Sequence, residues 1–137
     1  MGRILAIDYG RKRVGIAVTD ELKMIANALT TIHADEVIGF LKKYSSEENL
    51  ECIVVGEPKN MKYEASEAEK YIIPFLKKLK KELPDINIVR MDERFTSKIA
   101  LQTVIEAGLK KKDRRNKALL DSISATLILQ SYLKMVE

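Results

Sequence analysis

A single cysteine, Cys52, rules out an internal disulfide. Its surroundings, Cys52-Ile53-Val54-Val55, predict a buried strand thiol instead. A single histidine, His33, together with that one cysteine leaves too few ligands for a structural zinc site. His33 follows a predicted strand and reads as a surface residue. No apolar run reaches the roughly 18 residues that a membrane-spanning helix needs, so no membrane partner is expected. The N-terminus enters a strand almost at once and shows no secretory leader, which makes the cytoplasm the expected compartment. There is no internal repeat and no low-complexity tract, and the 137 residues read as one domain, 1–137.

What is present is a globular composition, 46% hydrophobic and 32% charged. The net charge of +4 is modest, but its distribution is uneven. Lys110, Lys111, Lys112, Arg114, Arg115 and Lys117 crowd one segment, and Arg11, Lys12 and Arg13 form a second cluster. Either run alone is compatible with a solvated loop. Beside an acidic site, both suit a polyanionic substrate whose phosphates they contact.

That acidic site begins in Ile4-Leu5-Ala6-Ile7-Asp8-Tyr9-Gly10, which reads as a strand, followed by a basic turn and a second strand, Val14 to Thr19. Strand alternation puts Asp8 on the face of Ile4 and Ala6. A lone carboxylate on an apolar face needs a partner, either a cation or the N–H groups of the turn. The second strand places Val14, Ile16 and Val18 on one face and the small Gly15 and Ala17 on the other, where a helix can approach closely.

Met24 to Ile32 reads as a third strand, and the short connections favour antiparallel hairpins. Asp35 is the expected cap of a helix reaching about Ser45. Glu51 to Gly56 is a continuous apolar run, as expected of a central strand. A helix from about Glu64 to Leu83 contains Pro74, which should kink or split it. Ile86 to Met91 is the fifth strand, ending in Asp92-Glu93-Arg94. Thr96 or Ser97 caps a helix through Ala107, with Gly108 as its stop. A final helix runs from about Lys117 to Met135. The order predicts an α/β fold, a mixed five-stranded sheet of three antiparallel and two parallel strands with helices on both faces.

Three acids then share a destination. Asp8 ends strand one, Glu93 ends strand five or lies one residue beyond it, and Asp121 lies in the first turns of the last helix. Sites of such sheets collect at the C-terminal ends of adjacent parallel strands. If strands one and five flank strand four, their ends are about 10 Å apart. Two or three carboxylates suffice for Mg²⁺ or Mn²⁺, and two ions about 4 Å apart activate a water and stabilise the leaving oxygen in phosphodiester hydrolysis. Each acid has a plainer reading: Asp8 as a turn acceptor, Asp92 and Glu93 as capping and ion-pairing groups, Asp121 as a favourable charge near a helix N-terminus.

The segments Ile7-Asp8-Tyr9-Gly10 with Gly15-Ile16-Ala17, Val54-Val55-Gly56 with Pro58-Lys59-Asn60-Met61, Asp92-Glu93-Arg94-Phe95-Thr96, and Asp121-Ser122-Ile123-Ser124-Ala125 through Leu129-Gln130-Ser131-Tyr132-Leu133 carry a resemblance. Over essentially its whole length the chain resembles the YqgF/RuvX family of Holliday-junction-resolvase-like nucleases, within the ribonuclease H-like superfamily. The resemblance implies a ribonuclease H-like fold and a metal-dependent endonuclease. Its expected substrate is structured RNA, in maturation of the small-subunit ribosomal RNA precursor, or branched DNA. The family's acidic positions fall on Asp8, Glu93 and Asp121, and those three are the implied catalytic residues and metal ligands. Arg94 matches an arginine that holds a phosphate or anchors Glu93, and Asn60 matches a polar loop residue. Glu57 departs from the pattern, standing where the family usually has an apolar residue. It is either a fourth ligand or a surface substitution, and the surface reading is favoured. Two other functions fit the same residues. One is an RNA-binding module without catalysis. The other is a nucleotide-binding module like those of actin and sugar kinases, which share the Asp-x-Gly hairpin but need a second such domain. Monomer and homodimer are both compatible with the sequence.

Overall fold

A computed structural model of the chain describes residues 2–57, 69–92 and 117–136, with the side chains of 117–121 excepted. The expected helix between Thr96 and Ala107 and the basic segment 109–116 lie outside the described residues. Strands β1 (Arg3–Tyr9), β2 (Arg13–Thr19), β3 (Ala26–His33), β4 (Leu50–Glu57) and β5 (Asn87–Asp92) form one sheet in the order β3-β2-β1-β4-β5. The β1–β2 and β2–β3 pairs are antiparallel, and β1–β4 and β4–β5 are parallel. β4 therefore lies between β1 and β5, as the three-acid reading requires.

The two faces of the sheet are covered differently. Helices α1 (Val37–Glu47) and α2 (Glu69–Glu82) bury Val37, Leu41, Ile72, Phe75, Leu76 and Leu79 against Leu5, Ile7, Val14, Ile16, Ile53 and Val55. Helix α3 (Lys117–Met135) packs Ala125, Ile128 and Leu129 on Ile4, Ala6, Ala17, Cys52 and Val54. Ala17, on the small face of β2 that the sequence anticipates, and Ala6 beside it let α3 lie close. No described helix is long and apolar enough to cross a membrane.

Three local expectations are corrected. β3 begins at Ala26, two residues later than predicted, because the Asp20 carboxylate takes the N–H groups of Met24 and Ile25 at 2.8 and 3.0 Å. Those N–H groups are lost to the ladder, and Met24 is left 73% exposed. The chain enters α1 through a 3-10 turn, Ala34–Glu36, whose cap is His33 rather than Asp35. Its Nδ1 accepts from the Asp35 N–H at 3.1 Å. α2 also runs through Pro74 as one helix, not two. Pro74 is on the exposed side, where solvent can satisfy the carbonyl that the proline leaves without a donor.

Candidate functional site

Asp8 is half-buried and occupies the penultimate position of β1. Its alternation with Ile4 and Ala6, both in the cluster beneath α3, puts the carboxylate on the α3 side of the sheet. Its direct partner on β2 is Gly15, and Gly56 follows Val55, the β4 partner of Ile7. Neither of these two neighbours carries a side chain.

α3 covers the same face, with its last turns at the opposite end of the sheet. Tyr132, near its C-terminus, hydrogen-bonds with Cys52 at the start of β4. Burial pushes the Cys52 thiol up, and the Tyr132 contact only partly offsets it. Tyr132 and Leu133 also line a groove with Ile4 and Glu51, again at the starts of β1 and β4. From Tyr132 back to Asp121 is a rise of about 16 Å along the helix. From Ile4 forward to Asp8 is about 13 Å along the strand. A helix running back along β1 over that rise would reach about the level of Asp8. Position 121 lies one turn before Ala125, which packs on the sheet. The Asp121 side chain itself lies outside the described residues.

The turn after β1 is built for close backbone approach. Gly10 N–H donates to the Arg13 carbonyl at 3.0 Å. A Cβ on residue 10 would stand 2.5 Å from that oxygen, so a side chain is excluded here. Arg11, Lys12 and Arg13 are exposed on this turn, at the Asp8 end of the sheet. The Arg11 guanidinium lies 5.4 Å over the ring of Tyr71. Tyr9 stacks on Phe75 at 4.4 Å. Burial, and then the Asp35 carboxylate, push the Tyr9 phenol up, so it stays a neutral hydroxyl.

Glu57 has a different environment. It alternates with Ile53 and Val55, which face α1 and α2, so it points away from the Asp8 side. Arg90 Nη1 lies 3.8 Å from its carboxylate. Arg90 is the residue that sequence reasoning missed. Its Nη2 donates to the Gly56 carbonyl at 2.9 Å and to both Glu69 oxygens at 3.1 and 3.0 Å. Its Nε donates to the Val55 carbonyl at 3.3 Å. One guanidinium thus ties the end of β4 to β5 and to the start of α2. The available signal was of the same kind as Asp8, a lone charge inside the alternation of an apolar strand.

The structure brings Asp8 and the Arg11-Lys12-Arg13 turn to one end of the sheet, and Tyr132 and Leu133 of α3 to the other. Glu93, Asn60, Arg94, Lys110, Lys111, Lys112, Arg114 and Arg115 lie outside the described residues. Among the described residues, no group of three or more His, Cys, Asp or Glu is placed to hold a metal.

Comparison with known proteins agrees with this architecture. The Thermus thermophilus RuvC structure in complex with a Holliday junction substrate aligns with a TM-score of 0.59 at 16% identity, covering 98% of this chain and 96% of that one. A second Thermus thermophilus RuvC structure aligns with a TM-score of 0.56 at 17% identity, with the same coverage. At such identities the likeness concerns the fold, which is ribonuclease H-like. Sequence relatives are far nearer. A Bacteroides fragilis protein named "Putative pre-16S rRNA nuclease" is 58% identical over 134 residues, 98% of this chain and 97% of its own length. Proteins of the same name from Phocaeicola vulgatus and Christiangramia forsetii are 55% and 56% identical, covering 98% and 97% of this chain and 96% and 98% of their own lengths. The family model described as "RuvX: Holliday junction resolvase" matches residues 2–135, and the chain belongs to that family.

Proposed function

We propose that this protein is a divalent-metal-dependent endonuclease acting on structured nucleic acid, with Asp8, Glu93 and Asp121 as its acidic centre. The observation that carries this reading is the placement of Asp8. Its carboxylate stands at the C-terminal end of a central strand, on the face that α3 covers, between two glycines and beside an exposed basic turn. On β5, Val89 and Met91 pack on the α3 side. If that alternation holds for one more step, Glu93 joins the same face about two strand spacings from Asp8. Position 121, one turn before the packed Ala125, supplies the third carboxylate.

The donor set fits a hard cation. Carboxylate oxygens suit Mg²⁺ or Mn²⁺, and the single Cys52 is buried far from this end of the sheet. When bound, such an ion supplies an acidified water and charge neutralisation at the scissile phosphate. The chain's own residues hold and orient. Asp8, Glu93 and Asp121 fix the ion against the sheet. Arg11, Lys12 and Arg13, with Arg94, Asn60 and the 110–115 basic segment, bind phosphates and set the path of the backbone. The names of the relatives direct the substrate toward the small-subunit ribosomal RNA precursor, and the family description toward branched DNA.

The test is cleavage of a ribosomal RNA precursor fragment and of a four-way DNA junction by purified protein with Mg²⁺ or Mn²⁺. Asp8→Asn should lower the cutting rate by about 10²-fold or more while nucleic-acid binding survives. Equal cutting by that variant overturns the assignment of Asp8. Tight binding without cutting by the unsubstituted protein under either metal favours an RNA-binding module without catalysis.

A further inference from the structure

Helix α2 carries a charge asymmetry that the acidic centre does not use. Between its terminal Glu69 and Glu82 it holds Lys70, Lys77, Lys78, Lys80 and Lys81 and no acid. Both terminal carboxylates are already engaged by cations from elsewhere, Glu69 by Arg90 at 3.0 Å and Glu82 by Lys42 at 3.1 Å. Among the described residues, Lys77, Lys78, Lys80 and Lys81 take part in no ion pair. Burial of Ile72, Phe75, Leu76 and Leu79 fixes the roll of the helix. At 100° per residue, Lys70, Lys77 and Lys81 then form the ridge farthest from the sheet. Tyr71 and Lys78 lie on the flank shared with Phe75, whose ring stacks on Tyr9 beside the basic turn.

Tyr71 is the second observation. An aromatic ring 43% exposed, with a guanidinium over it, is a surface on which a nucleobase can stack. It lies at the end of α2 that Arg90 joins to Gly56, hence at the Asp8 end of the sheet. From there the lysine ridge recedes for 11 residues, about 16 Å.

We propose that Tyr71, braced by Arg11, is a stacking platform for an unpaired base of the substrate, and that the Lys70–Lys77–Lys81 ridge carries the phosphates of the strand leading away from the acidic centre. This rests on the nuclease reading above and deepens it. The ligand is a single-stranded segment, such as a tail or the unpaired arm of a branch, because a stacking platform needs a base outside a duplex. Arg11 serves both elements, as a phosphate ligand of the turn and as the brace of the ring.

The experiment is fluorescence anisotropy with the full chain in metal-free buffer. The probes are a labelled 20-nucleotide single-stranded RNA of mixed sequence and its blunt duplex, across a series of salt concentrations. Tyr71→Ala should weaken single-strand binding about five- to a hundredfold, Tyr71→Phe should restore it, and the duplex should respond less. The triple variant Lys70→Gln, Lys77→Gln, Lys81→Gln should flatten the slope of log affinity against log salt by about 2, three phosphate contacts at about 0.7 each. All of these side chains are exposed, and unchanged thermal unfolding confirms that the fold is intact. Affinities within about twofold of the unsubstituted protein and an unchanged slope overturn the inference while cleavage stands. If the unsubstituted protein neither binds nor cuts nucleic acid, the nuclease reading fails and this inference falls with it.

Discussion

Arg90 shows what one side chain can hold. It satisfies two carbonyls at the end of β4 and pairs with a carboxylate on α2 that is 13% exposed. Removing it strands those acceptors and leaves Glu69 without its cation. Arg90→Ala should therefore cost about 2–3 kcal/mol in urea unfolding. Arg90→Lys should recover only part of this, because a point-like ammonium does not reproduce the fork that reaches four oxygens. Glu57 sits at the weaker end of the same guanidinium, at 3.8 Å, on the face opposite Asp8. Glu57→Gln should leave metal-dependent cutting within about twofold and stability within about 1 kcal/mol. A loss comparable to that of Asp8→Asn would return Glu57 to the ligands.

α3 is the element through which packing reaches the chemistry. Ala125 is fully buried between the helix and the sheet, in the cluster with Ala6 and Ala17. Ala125→Leu places three extra carbons in a contact that has no room for them. It should cost about 1–3 kcal/mol and lift the first turns of the helix from the sheet. Because position 121 is one turn away, cutting should fall together with stability. Ile128→Val, deeper in the same contact, is the control. It should cost about 0.5–1.5 kcal/mol in unfolding with cutting unchanged. Equal cutting by both variants would show that the site does not depend on how closely α3 lies.

The molecule is polarised along its strands. One end carries Asp8 and the basic turn. The other carries the β2–β3 turn and the groove lined by Met24, Ile25, Glu51, Tyr132 and Val136. Two carboxylates hold that far end. The N–H groups of Ile25 and Met24 keep the Asp20 carboxyl below its ordinary value. The hydrogen bond from Lys23, and then the Gly2 N–H, do the same for Glu51. In both, folding favours the charged form. Their contribution is complete above the ordinary carboxylate values, 3.8 for Asp20 and 4.5 for Glu51, and is lost as the pH falls through them toward the lowered folded values. Hydrogen exchange at pH 3 should show the amides of residues 23–25 losing protection relative to pH 6, before the centre of the sheet does. Uniform loss across the sheet would contradict this.

Periodicity made much of the fold legible in advance. Alternation in β1 places Asp8 with Ile4 and Ala6, and the small face of β2 announces the close helix, because a two-residue period needs no knowledge of distant chain. The acids at 8, 93 and 121 were readable as candidates for the same reason, each ending or opening an element. Contacts between distant residues were not readable. The order β3-β2-β1-β4-β5, which puts β4 between β1 and β5, is set by pairing between strands distant in the chain. Arg90 meets partners 21, 34 and 35 residues away, which no local pattern encodes. His33 displaced Asp35 as a cap, and Asp20 shortened β3, because side chains compete with the ladder for N–H groups in ways that depend on the turn already formed. The opening strand thus declared its charge and its face from sequence. What stands beside that charge, two glycines and a basic turn, depended on how the strands came together.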